Sequence, residues 1–175
     1  LEKTSNNQYL SVVRKILDSA AKSCVVCFGK KLPPEYITLV EKYGKQRFIF
    51  AGWLSPNATV KVIGMLDLFL DPFPFGAGMT FASAAYQKIP IISTSDYVAV
   101  SPSSISILYY YYKSGAVTFL SETIVQALFG SSSSLAARAV HYLHNPNYLD
   151  RDELQRIVVE IFLKASTSVL SPRLR

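Results

Sequence analysis

The residues best placed to do chemistry form one run, Asp71-Pro-Phe-Pro-Phe-Gly-Ala-Gly-Met-Thr-Phe-Ala-Ser-Ala-Ala-Tyr-Gln-Lys-Ile-Pro90. The apolar Leu68-Phe69-Leu70 ahead of it has the character of a strand buried on both faces. Pro72 and Pro74 cannot donate to a sheet ladder, and Gly76 and Gly78 permit torsions and close approaches that a side chain forbids. From Thr80 the residues are helix-compatible, with Thr80 itself read as the N-terminal cap. A strand, a glycine turn and a helix start together suit an anion, because unpaired N–H groups and the helix dipole converge on it. The glycine pattern is looser than a dinucleotide or P-loop fingerprint, so a plain strand-to-helix connection competes with phosphate binding on these grounds alone.

Other reactive side chains give less. Cys24 and Cys27 lie along an expected strand, where they point to opposite faces, so they read as buried free thiols and not as a redox pair. His141 and His144 share helical spacing but have no acidic or cysteine partner placed to complete a metal site. Lys30 and Lys31 follow a strand end and can reach an anion, though exposed turn lysines are common. The net charge of +6 suits an anionic ligand or acidic partner, but the basic residues are scattered, which argues against a nucleic-acid patch.

The elements that must position these groups alternate regularly. At 175 residues, half of them hydrophobic and 17% charged, the chain is long enough for one domain with a sizeable core. Helical spacing predicts helices over residues 6–22 (capped by Thr4 or Ser5), from Pro33-Pro34 to a C-cap at Gly44 with Tyr36, Ile37, Leu39, Val40 and Tyr43 as its apolar side, from a cap at Asn57 or Ser55 to about Leu66, from Thr80 onward, from Ser101-Pro102 into Tyr109–Tyr112, and over 122–129, 135–143 and 152–165. Strands are expected at 23–28, 47–51, 68–70, 90–93 and 116–120. Four adjacent tyrosines surround a helix, so some must be exposed or face a partner.

This alternation predicts an α/β fold: a Rossmann-like parallel sheet flanked by helices, with ligand beyond the carboxyl ends of the strands after Phe28, Phe50 and Leu70. Residues 1–175 read as a single domain, and 135–175 as its C-terminal helical extension. The chain opens on Leu1 almost directly into a helix, as expected of a fragment of a longer protein. No run has the length of a membrane span and no signal peptide is evident, so a cytoplasmic location is the default, with peripheral membrane contact left open.

The order strand, Gly52-Trp53-Leu54 loop, helix, Asp67-Leu-Phe-Leu-Asp-Pro-Phe-Pro-Phe-Gly-Ala-Gly-Met-Thr80, helix, Ile89-Pro-Ile-Ile-Ser93 resembles the C-terminal, nucleotide-sugar-binding domain of GT-B glycosyltransferases. The likeness is to the O-linked N-acetylglucosamine transferase type and its bacterial relatives, including the protein N-glucosyltransferases. It runs from Lys3 to about Asp96, is most specific over Asp71–Pro90, and beyond Asp96 is architectural only. The resemblance implies that this half holds a sugar nucleotide, usually a uridine diphosphate (UDP) sugar, while an N-terminal half holds a protein or glycan acceptor.

By the same resemblance the diphosphate is stabilised without metal or further cofactor, by a helix N-terminus and a lysine. Lys3, Gly76, Gly78, Met79 and Thr80 then form the diphosphate site, with the Thr80 hydroxyl joining the backbone donors. Trp53 and Leu54 match the loop beside the base, although Trp53 can instead be a core residue. Three departures stand out. Gly78 replaces a histidine, Pro56 replaces a lysine that packs on the base, and Ser83 replaces the acidic residue that grips the ribose, leaving a weaker neutral hydrogen bond. The resemblance therefore implies part of a glycosyltransferase, inactive in isolation, against two rivals: a degenerate domain serving as a protein-binding scaffold, and an unrelated α/β nucleotide-binding regulator.

Overall fold

The computed structural model describes residues 7–97, 104–115 and 120–170. Lys3, the caps at Thr4 or Ser5, the Ser101-Pro102 helix opening and most of the strand expected at 116–120 lie outside the described residues. The first helix, α1 (Asn7–Ser19), buries Tyr9, Leu10, Val12, Val13, Ile16 and Leu17, as its spacing predicts. Arg47 closes its far end, donating to Leu17 O at 2.7 Å and Ala20 O at 2.9 Å. Those carbonyls have no partner within the helix, so a guanidinium from the next unit is a C-terminal cap.

Two strand–helix–strand units follow. In the first, β1 (Val25–Cys27), α2 (Pro34–Tyr43) and β2 (Phe48–Phe50) place the strands parallel, with Val26 opposite Ile49. Pro34 opens α2, and Gly44 ends it at a φ of 77°, a left-handed conformation that favours glycine. Tyr36 and Leu39 are its buried residues, whereas Ile37, expected on the apolar side, is exposed. Helix α3 (Pro56–Ile63) then leads to the second unit, β3 (Phe69–Leu70), α4 (Met79–Tyr86) and β4 (Ile91–Ile92), again a parallel pair. Ser55 caps α3 by accepting from Ala58 N–H at 3.3 Å. The helix was expected to reach Leu66, but after Gly64 the chain tightens into three-residue turns, Met65 to Val62 and Leu66 to Ile63.

The sequence predicts one continuous sheet, and the structure shows a mixed α/β molecule with two separate two-stranded parallel pairs. Among the described residues, strands of two or three residues complete few ladder bonds, and α1 is tied to the second pair through a side chain. The Tyr9 hydroxyl donates to Leu70 O at 3.2 Å. Burial first, and then the neighbouring Cys27, Tyr36 and Asp71, push its phenol well above the ordinary range.

The C-terminal half closes the core. Helix α5 (Ser104–Lys113) sets Tyr109 and Tyr112 against Phe129 with centroids at 5.4 and 5.2 Å, while Tyr110 stays exposed. Helices α6 (Glu122–Phe129) and α7 (Leu135–His144) are joined by a short 3-10 turn at Ser132–Ser134, and α8 (Arg151–Leu170) follows. Helix α7 packs on α1, and α8 on α4. The Arg138 guanidinium lies between these parts. It donates to Gln126 O and Ala127 O at the end of α6, to Ser93 O after β4, and to Ser131 O and Ser134 Oγ in the turn. That uses all five of its donors, and burial lowers its pKa to about 10.

Candidate functional site

The run from Asp71 to Thr80 is a loop anchored at both ends of its own turn. Asp71 is 2% exposed. One of its carboxylate oxygens accepts the Ala77 N–H at 2.8 Å, and the other accepts the Ser93 hydroxyl at 2.7 Å. One carboxylate thus ties the glycine turn to the end of β4. Between these ties the Phe73–Pro74 bond is cis, and buried Phe73 lies between Tyr9, edge-on at 5.3 Å, and Tyr97, stacked at 5.4 Å. Phe75, two residues on, is exposed. Proline, aromatic and carboxylate together fix a segment that glycines alone would leave loose.

Helix α4 opens at Gly78, whose φ of 60° and ψ of −125° form a conformation open to glycine and costly for other residues. A Cβ there would meet nothing within 4 Å. The backbone, and not crowding, demands glycine, so this position is unsuited to the histidine that the transferase type carries. Phe81 N–H and Ala82 N–H both donate to Gly78 O, at 3.0 and 3.4 Å. Met79 and Thr80 are left as the backbone donors of the helix mouth, with no acidic side chain in the first turn.

Two expectations are corrected here. Thr80 is not the cap, because Gly78 holds that position, and the Thr80 hydroxyl turns back to donate to Ala77 O at 2.9 Å. Ser83 lies one turn along, where its hydroxyl donates to Met79 O at 3.0 Å, leaving only lone pairs for a ribose. A cavity of about 10 Å³ lies behind the loop among Asp71, Pro72, Phe73, Gly76, Ser93 and Thr94. It has room for about one water, so a diphosphate would lie outside it, across the helix mouth.

The other strand pair carries the expected base-side residues. Gly29 N–H donates to Gly52 O at 2.9 Å, which joins the loops after β1 and β2. On that joined rim Trp53 is 72% exposed, so it is not a core residue. The Lys30 ammonium lies 5.8 Å from its ring centroid, a cation–π distance. Leu54 beside it is half-buried. The Trp53 rim follows β2 and the α4 mouth follows β3, so both stand at strand carboxyl ends.

Elsewhere, Cys24 and Cys27 are free, as expected, but Cys24 is exposed where both were expected buried. Burial pushes the Cys27 thiol up to about 12. His141 packs its ring against Tyr148, and no group of three or more metal-ligating side chains comes together among the described residues. No described helix is long and apolar enough to cross a membrane. The residue that sequence reasoning missed is Asp71 as the organiser of the loop. An aspartate opening a turn-rich segment was the available signal, whereas its partner Ser93, 22 residues on, carried none. No family model, curated protein or solved structure matches the chain.

Proposed function

We propose that this chain is the donor-binding half of a GT-B, metal-independent glycosyltransferase, a Rossmann-like domain that holds a UDP-sugar for transfer to a protein or glycan acceptor. The observation that carries the reading is the mouth of α4, a carboxylate-tied loop ending in a glycine cap that leaves the Met79 and Thr80 N–H groups as donors. Such a mouth suits the negative charge that develops on a leaving diphosphate. Trp53 and Lys30 supply an exposed aromatic face and a cation on the neighbouring rim. The open site agrees with a ligand enclosed only when a second, acceptor-binding half closes over it. A cytoplasmic location belongs to the same reading.

The test is a titration of the full chain with UDP by calorimetry, repeated with Met79→Pro. Proline at the first helical position keeps the helix but removes one N–H. A charge-assisted hydrogen bond lost in this way should weaken binding by about tenfold or more. A folded Met79→Pro chain that binds UDP as tightly as the parent, or a parent that does not bind at millimolar UDP, rejects the site. The second outcome favours a degenerate domain acting as a protein-binding scaffold, a reading supported by the internally bonded Ser83 hydroxyl and the exposed Trp53, Phe75 and Met79.

A further inference from the structure

We infer that the cleft between α6 and α7 is a second binding site, for a small amphipathic molecule carrying a primary amine. The cleft measures about 560 Å³, within the ~300–1,000 Å³ usual for small-molecule sites. Helix α6 lines it with Glu122 and Thr123 and, one turn on, Gln126, and α7 with Arg138 and, one turn on, His141. Ile92, Ala127 and Ala137 supply its apolar surface. Tyr148, 48% exposed, closes one side with its ring edge-on to His141 at 4.6 Å.

The charges select the ligand. Arg138 is the one fixed cation lining the cleft, and its five donors are taken up by Ser93, Gln126, Ala127, Ser131 and Ser134. It has none left for an anion. Glu122 is exposed and, among the described residues, makes no ion pair or hydrogen bond. It is therefore the open charged group of the cleft, an acceptor lining the same space as the aromatic pair of Tyr148 and His141. A carboxylate next to an aromatic face selects an ammonium, and the alanine and isoleucine surface selects an apolar body. This chemistry is opposite in sign to that of the α4 mouth, so the two sites are independent.

The test is ligand titration of the full chain followed by amide NMR, with phenethylamine as the probe and 3-phenylpropionate as the same ring bearing a carboxylate. Phenethylamine should give saturable shifts at Gln126, His141 and Tyr148, and phenylpropionate none. Glu122→Gln should weaken the amine about tenfold, and Tyr148→Leu a few-fold. Folding should survive the first change, because the start of α6 is held by Glu153, which accepts the Ser121 N–H at 2.8 Å and its hydroxyl at 2.7 Å. Equal binding of the two probes, an unchanged Glu122→Gln affinity, shifts confined to Met79 and Thr80, or no saturation at millimolar amine would each overturn the assignment.

Discussion

Removing the Asp71 carboxylate should unfasten the glycine loop, and the geometry sets the size of the effect. The group is 2% exposed and holds two donors, Ala77 N–H at 2.8 Å and Ser93 Oγ–H at 2.7 Å. Asp71→Ala leaves both without their acceptor in a region with little room for water. At about 1–3 kcal/mol for each unsatisfied group, the change should cost about 2–6 kcal/mol. Asp71→Asn keeps one acceptor and offers the serine an N–H in place of a lone pair, so the loss should be nearer 1–2 kcal/mol, mainly of charge assistance. Urea unfolding at neutral pH measures both, and exchange of the Ala77 amide reports whether the loop opens first. A cycle with Ser93→Ala should show a coupling of about 0.5–3 kcal/mol. If Asp71→Ala stays within about 0.5 kcal/mol of the parent, as a surface substitution would, the carboxylate does not organise the loop.

Gly78→Ala should lower stability by about 1–3 kcal/mol through backbone strain alone, since a methyl group there touches nothing; a neutral result in urea would mean that α4 opens in another conformation. Arg138→Met removes five hydrogen bonds that tie the ends of α6 and β4 to the Ser131–Ser134 turn and leaves Ser93 O without its guanidinium donor, so it should cost about 1–3 kcal/mol, with Arg138→Lys recovering part of it. Equal stability of the Met and Lys variants would show that packing, and not donation, holds the junction. A disulfide reagent should label Cys24 rapidly and Cys27 only on unfolding. Cys27 also predicts the direction of alkaline destabilisation. The unfolded thiol loses its proton near 9.0 and the folded one near 12, so stability is intact below pH 9 and declines as pH rises from 9 toward 12. Cys27→Ala should flatten that decline, and an unchanged slope in urea titrations across this range would assign it to other groups.

The elements that repeated a strong local pattern were legible in the sequence. The apolar stripe of α1, the Pro33-Pro34 start and Gly44 stop of α2, and the bounds of α6 all depend on residues within a turn of one another, and of the two caps open to α3, Asn57 and Ser55, the structure uses Ser55. What failed to read through depended on distant partners. Thr80 has the composition of a cap, yet Gly78 takes the position because the loop, held six residues back by Asp71, enters the helix at a positive φ. Trp53 is read as base-side or core with equal ease from its type alone, and only the joining of two loops through Gly29 and Gly52 leaves it on the rim. The two arginine caps were invisible for the same reason. Nothing near Arg47 or Arg138 in sequence indicates that their partners are backbone carbonyls, with one serine hydroxyl, most of them on other elements.

These placements change where a donor site in this chain would draw its affinity. Two of the side chains expected to hold the ligand, Thr80 and Ser83, have hydroxyls that donate to nearby backbone carbonyls, Ala77 O in the loop and Met79 O in the helix, and a third position is glycine for conformational reasons. Among the described residues, what such a site would offer a diphosphate is backbone N–H, which side-chain truncation leaves in place; only proline removes it, and a change in the loop misaims it. Sensitivity should therefore concentrate in the residues that aim the helix mouth, Asp71, Ser93, Phe73 and Gly78. If the site binds UDP, Asp71→Asn should weaken it more than Thr80→Ser or Ser83→Ala does, although Asp71 is buried and touches no ligand. The reverse order, measured by calorimetry on folded variants, would mean that the side chains rotate to take the ligand and that the loop is only its support.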